Sequence, residues 1–268
     1  MPAVAERRAR VADLIGDRPL SARSVLASAI LGADQPQLTV GELVGISSLF
    51  GISDGAARTC LWRMVSNGEL TGDDGTYALA GGLFERRQRV DEAARIDDST
   101  GRSWDGTWEL AIVSLERRSA ADRLALRKAA AALHLAELRE GVWIRPDNLD
   151  RDRLPTLRAV LDRQCVHFHA AATDVPAENV RSLFGLDDWA VNARRLALAM
   201  RDEGDVEAVH ADDFIYQFDL SVTVVRHLQL DPQLPAELVP TDWPGDTLRC
   251  TYRHFDEVFK LQLNNAGH

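Results

Sequence analysis

Two short stretches of this chain hold side chains whose types and spacing suit chemistry. In CVHFHAA, Cys165, His167 and His169 alternate, and a strand of period two shows all three on one face. Thiolate and imidazole are ligands for zinc and other transition metals. Side chains at i, i+2 and i+4 of one strand point in parallel, however, and do not converge on one ion. No obvious fourth ligand accompanies them, so the pattern is read as a polar sheet face with a packed cysteine, and no metal is expected. The second stretch is GISDGAARTCLWRMVSNGEL, residues 51–70. It places Arg58 and Arg63 beside Gly55, Thr59, Trp62 and Ser66. A guanidinium pairs bidentately with O6 and N7 of guanine, worth ~1–3 kcal/mol of discrimination. It also clamps phosphate, which gives affinity without sequence information. The chemistry on offer there is recognition of nucleic acid.

These residues need a helix to hold them. Ser53 is a suitable N-cap, because its hydroxyl accepts from a free backbone N–H of the first turn. Asp54 complements the positive helix end, and Gly68 suits the position after the last turn. A helix over roughly 54–67 follows. At about 100° per residue, Ala57, Cys60, Leu61, Met64 and Val65 form its core side. Gly55, Thr59, Trp62 and Ser66 lie opposite, flanked by Arg58 and Arg63. Upstream, SVLASAILG reads as a short apolar helix. TVGELVGISSLFG then offers Thr39 as an N-cap and a buried stripe of Leu43, Ile46 and Phe50, with Gly51 turning into the next helix. That is helix-turn-helix spacing. Downstream, GELTGDDGTYALAG reads as a hairpin with DDG at its tip. Three helices and a hairpin predict a winged helix whose helix 54–67 enters the major groove. Arg58 is expected at base edges and Arg63 at backbone. Trp62 would meet a thymine methyl or a sugar. The competing readings are an internal brace for Arg58, an interdomain contact for Trp62, and a unit that binds protein instead of DNA.

Beyond this unit the chain changes character. ERRQRVDEAARIDDSTGRS is a charged connector over residues 85–103. The segment 104–174 then alternates: a strand in TWELAIVSLE, a helix through SAADRLALRKAAAALHLAEL, a strand in GVWIRP, a helix in LPTLRAVLDR and a strand in CVHFHAAA. That alternation predicts a small α+β domain. Residues 175–268 read as helical, broken at DPQLP and TDWPGD. The expected fold class is α+β, with residues 1–84 as the first domain.

The formal net charge is -10 and the pI near 5.2. A chain coated in positive charge is therefore excluded, although a docking face needs only local basicity. The cations are almost all arginine, the lysines being Lys128 and Lys260. Three scattered cysteines without a CxxC point to a reducing compartment, and no run approaches the ~18 apolar residues of a membrane span. The N-terminal segment has no continuous apolar stretch of the kind a secretory signal needs. A cytoplasmic location is expected.

RSVLASAILGAD and GISDGAARTCLWRMVSNGEL resemble the N-terminal winged helix of the PaaX family of transcriptional repressors. The family pattern there is matched by Arg58-Thr59-Cys60-Leu61-Trp62-Arg63-Met64. WDGTWELAIVSLE and LREGVWIRPDNL resemble that family's central Cas2-like, ferredoxin-like domain. HADDFIYQFDLSVTVVRHLQLDPQLPAELVPTDWPGD resembles its C-terminal segment. The resemblance covers most of the chain in the right order. It implies a homodimeric repressor of catabolic genes for aromatic acids, bound to a double-stranded operator. Release by an acyl-CoA thioester such as phenylacetyl-CoA is implied too, with no other cofactor. It implies DNA contact by Arg58, Thr59, Trp62 and Arg63, with Gly55 and Ser66 on the same face. One departure is plain. Relatives carry a basic wing tip, and here the tip holds Asp73 and Asp74, which phosphate repels. The N-terminal arginines Arg7, Arg8 and Arg10, and Arg86, Arg87 and Arg89 of the connector, are then alternative backbone contacts. Cas2-like folds include nucleases, but Glu109 and Glu116 are not the closely placed carboxylates that two-metal chemistry needs. No GxSxG occurs for a thioesterase, and no enzyme is expected. For the effector, Arg181, Arg194, Arg195, Arg201, Arg226 and Arg249 are possible phosphate partners, and Trp189, Phe214, Tyr216, Trp243 and Tyr252 could line an aromatic site.

Overall fold

Helices toward both ends of the chain and a βαββαβ stretch between them make the protein α+β, as predicted. The computed structural model describes residues 4–16, 19–94, 104–171, 177–203 and 211–266. Its contacts gather into two units. The expected domain boundary at 174/175 and the connector residues 95–103 lie outside the described residues.

The first unit opens with α1 (Val4–Ala9), α2 (Ala12–Ile15) and α3 (Ala22–Gly32), followed by β1 (Gln37–Thr39), α4 (Val40–Leu49) and α5 (Asp54–Ser66). Strands β2 (Leu70–Asp73) and β3 (Thr76–Leu79) form the expected hairpin, and α6 (Gly81–Ala94) follows. The same unit takes in α11 (Ala211–Leu228), α12 (Gly245–Ala266) from Asp246, and the part of α10 (Leu186–Glu203) from Asn192 onward. Thr39 caps α4 through a reciprocal box: its hydroxyl accepts from the Glu42 N–H, and the Glu42 carboxylate accepts from the Thr39 N–H at 2.7 Å. β1 escaped the sequence reading because QLT is too short to show a period. It pairs antiparallel with β3, giving the order β1-β3-β2. The buried faces of α3 (Val25, Leu26, Ile30), α4 (Leu43, Ile46) and α5 (Ala57, Leu61, Met64) make the core. Phe50, expected in the stripe of α4, turns its ring to Phe218 of α11 at 5.0 Å, and Phe214 stacks on Phe259 of α12 at 5.4 Å. An aromatic cluster thus ties the C-terminal helices to the N-terminal ones.

The second unit holds β4 (Thr107–Val113), α7 (Ala120–Ala132), β5 (Ala136–Arg139), β6 (Val142–Pro146), α8 (Pro155–Asp162) and β7 (Cys165–Ala171), with α9 (Ala177–Leu183) and residues 229–245. The sheet is antiparallel in the order β5-β6-β4-β7. That is the ferredoxin-like βαββαβ arrangement. The helix read through Leu138 is shorter than expected and ends at Ala132. His134 takes a left-handed φ of 58°. The His134 and Leu135 N–H groups then bond back to Ala131 and Ala130 carbonyls, which closes the helix. Sequence reading missed this stop because histidine, not glycine, makes it. One sheet face packs Ala111, Trp143 and Cys165 beneath Leu126, Leu133 and Leu161 of the helices. The other buries Trp108 and Ile144 under Val180.

Candidate nucleic-acid interface

Helix α5 starts at Ser53, whose hydroxyl accepts from Ala56 N at 3.4 Å. It ends at Gly68 (φ 70°), where Gly68 N and Glu69 N bond back to Val65 and Met64 carbonyls. This paired closure requires a left-handed residue, which glycine supplies at little cost. Its buried side is the expected one: Ala57, Leu61 and Met64 are fully inside, with Cys60 and Val65 half-buried.

All six residues expected at DNA lie on the opposite, solvent-facing side. Trp62 is 68% exposed, an unusual place for the largest apolar side chain in a monomer. Thr59 Oγ donates to the Gly55 carbonyl at 2.7 Å, and Ser66 Oγ to the Trp62 carbonyl at 3.0 Å. With their protons so engaged, both hydroxyls turn acceptor lone pairs outward. Gly55 has nothing within 4 Å of where a Cβ would stand. Nothing in this chain's own packing therefore requires a glycine at that place. Arg58 Nε donates to Asp54 Oδ1 at 2.5 Å. Sequence reading took Asp54 only as a helix-end charge, although the i,i+4 spacing already signals the pair. No acidic side chain pairs with Arg63 among the described residues.

The hairpin tip turns at Asp74 (φ 42°) and Gly75 (φ 76°), and Asp73 and Asp74 are exposed there. The alternative backbone contacts sort themselves. Arg8 is committed to Asp213 at 2.7 Å and to Glu203 at 3.5 Å, and sits over the Tyr216 ring at 4.4 Å. Arg10 lies 3.5 Å from Asp202. The Arg7 side chain is outside the described residues. Arg87 turns inward to the Leu31 and Ala33 carbonyls and to Asp91. Burial, with the fields of Arg226, Arg89 and Arg23, pushes the half-buried Arg86 guanidinium below its usual value.

The CVHFHAA stretch is a strand, β7, but its three residues serve three neighbourhoods. Cys165 packs in the core, where burial pushes its thiol up to about 11. His167 lies 3.3 Å from Glu109 and 2.9 Å from Asp162. His169 lies 2.9 Å from Asp147 and 2.9 Å from Arg151. Among the described residues no group of three or more His, Cys, Asp or Glu is arranged to hold a metal ion. Glu109 is buried and bonded to Arg158. Burial would push its carboxyl up, but contacts with His167 and Arg158 outweigh that and hold it at about 2.

The possible effector arginines are scattered. Arg181 pairs with Asp187 at 2.5 Å, Arg195 with Asp13, and Arg249 donates to the Ala93 carbonyl at 3.0 Å. The aromatic residues divide too: Trp189 stacks on Trp243 at 4.6 Å in the second unit, while Phe214, Tyr216 and Tyr252 belong to the first. No helix among the described residues is long and apolar enough to cross a membrane.

Comparison with known proteins places this geometry in context. The chain matches the PaaX-like protein family over residues 21–82, the PaaX protein central Cas2-like domain over 101–182, and the PaaX-like protein C-terminal domain over 186–264. It is similar to the solved structure of the uncharacterized protein Rv0674 from Mycobacterium tuberculosis. The two are 35% identical with a TM-score of 0.67, and the match covers 92% of this chain and 98% of that one. No curated protein matches the chain.

Proposed function

The chain belongs to the PaaX family of regulators, and from that premise we propose that it is a DNA-binding transcriptional repressor, with α3, α4, α5 and the β2–β3 hairpin as its winged helix. In this reading α5 enters the major groove of a double-stranded operator. Arg58 reads a base edge, Thr59 and Ser66 accept from base amino groups, Trp62 packs on a methyl or sugar, and Arg63 clamps phosphate. Gly55 lets the groove wall approach the helix start. The protein works as a homodimer in the cytoplasm, so that two copies of α5 address two half-sites. Val166 and Phe168, exposed on the outer face of β7, are surface that a second copy could cover. It regulates catabolic genes, those for an aromatic acid or a related compound, and a small effector releases it. The effector is an acyl-CoA thioester such as phenylacetyl-CoA. The protein is not an enzyme.

The observation that carries this reading is the solvent-facing side of α5, where Trp62, Arg63 and the Arg58–Asp54 pair stand exposed. The acidic wing tip favours a second reading, a unit that docks on protein. A gel shift with the DNA upstream of the protein's own gene separates the two. Retardation of that DNA and not of a scrambled duplex is expected. Release by a CoA thioester, and not by the free acid, identifies the effector class. Absence of any retardation would sink the DNA reading.

A further inference from the structure

Of the two edges of the second unit's sheet, one is protected against pairing with another chain and one is not. In the order β5-β6-β4-β7 the outer strands are β5 and β7. β5 has four residues, carries Glu137 and Arg139, and shifts register between them. Shortness, charge and a bulge all keep an edge from recruiting a further strand. β7 has none of them. Its seven residues, CVHFHAA, include no Pro, Asp, Glu, Lys or Arg, and they pair with β4 in unbroken register from Cys165 to Ala171. No strand among the described residues pairs with the other side of β7. Val166 and Phe168 stand 45% and 52% exposed, on the face that they share with their β4 partners Ile112 and Leu110.

The strand is also complementary to itself. Turned about a two-fold axis at Phe168, it meets a second β7 antiparallel. Phe168 then opposes the partner's Phe168, Val166 the partner's Ala170, and His167 the partner's His169. Opposed residues share a face, so apolar side chains meet apolar ones and imidazole meets imidazole. The charges beside the strand match as well. Asp162, at the end of α8, lies 2.9 Å from His167, and Arg151 lies 2.9 Å from His169. Among the described residues no arginine or lysine pairs with Asp162, and no carboxylate pairs with Arg151. Setting His167 beside the partner's His169 brings Asp162 toward the partner's Arg151, and the symmetry makes this contact twice. Copies of a chain with net charge -10 repel one another, and at this edge opposite charges offset that repulsion. We propose that β7 is the dimer interface. Two copies pair β7 with β7 across a two-fold axis, which joins two four-stranded sheets into one continuous sheet, with Arg151 and Asp162 as reciprocal ion pairs at its rim. This rests on the homodimer of the reading above and not on its DNA contacts.

The test is sedimentation velocity of the full chain over a range of protein concentrations, without DNA. Wild type should sediment as a dimer. Phe168→Glu sets two like charges face to face and should weaken dimerisation roughly hundredfold, with an unchanged far-ultraviolet circular dichroism spectrum. Asp162→Arg and Arg151→Asp should each weaken it about tenfold, because both symmetric rim pairs become repulsive. An equimolar mixture of those two variants should recover the wild-type affinity, since every rim pair between unlike copies is again opposite in charge. Rearrangement within one chain cannot produce that recovery. A wild-type dimer that Phe168→Glu leaves intact overturns the interface, while a homodimer formed elsewhere stands. So do charge variants that each dimerise like wild type, or whose mixture does not recover. If wild type is monomeric throughout, the interface and the homodimer fall together. Should Phe168→Glu not fold, the mixture of the two charge variants decides the outcome.

Discussion

Arg58 donates Nε to Asp54 Oδ1 at 2.5 Å, one turn apart on α5, and both side chains face solvent. An exposed pair of this kind adds little to stability. Its effect is on orientation. With Nε engaged, the two Nη groups are left as a fork directed away from the helix, and a fork is what guanine O6 and N7 accept. In the proposed DNA-binding reading, the acid holds one rotamer of a long side chain before the duplex is met.

Asp54→Ala should therefore lower affinity for the operator by roughly two- to tenfold, the entropy of ordering one such side chain being about 0.5–1.5 kcal/mol. Affinity for scrambled DNA should hold steady or rise, because one negative charge leaves the interface. Anisotropy titrations on both duplexes measure the ratio. An equal loss on both would show that Asp54 does not act through base reading.

Among the described residues no acid pairs with Arg63 to orient it, and in the proposed reading it serves backbone. Arg63→Ala is expected to weaken binding to all sequences and reduce the salt slope by about 0.9. A variant with wild-type operator affinity and slope would refute this role.

Gly81 connects the hairpin to α6. Its φ is 48°, and a Cβ there would stand 2.7 Å from the Gly68 carbonyl oxygen, the end of α5. Both the backbone conformation and the space demand glycine. Gly81→Ala should cost about 2 kcal/mol, read as a lower thermal midpoint or a lower urea midpoint with an unchanged m value.

Glu109 makes stability depend on pH in a calculable direction. Its folded-state carboxyl sits at about 2, below the ordinary 4.5. The unfolded chain therefore binds the proton first as pH falls. The contribution is complete above about pH 4.5, declines from there toward 2, and is gone below. Glu109→Gln should remove that portion of the acid sensitivity. It should also destabilise at neutral pH by roughly 3 kcal/mol, because Arg158 loses its buried counter-charge. Urea midpoints of wild type and variant across pH 2–7 test both statements.

The extent of α5, its caps and its exposed face were legible in the sequence, because capping chemistry and a 3.6-residue period act over neighbouring residues. The same holds for the N-cap at Thr39, though not for its reciprocal partner Glu42, and for the tip formed by Asp74 and Gly75. β1 and β5 were not legible. Strands this short show no period, neither has a turn signal like the DDG that revealed β2 and β3, and their strand character comes from pairing with β3 and β6. The stop of α7 at His134 was hidden because the left-handed residue is not glycine.

The arginines show the division most clearly. Arg86, Arg87 and Arg89 stand within four residues on one helix and are alike in sequence. Tertiary structure alone sends Arg87 to two carbonyls of α3 and the following turn, and leaves Arg86 half-buried with no carboxylate paired to it among the described residues. Arg8 and Arg10, which look like a basic arm, meet acids about two hundred residues away. The sequence by itself determined which faces are apolar, where helices begin, and that positive charge is arginine. Which arginines are neutralised was decided only by folding, because a charge's partners are set by distance in space, and the chain brings them from segments far apart.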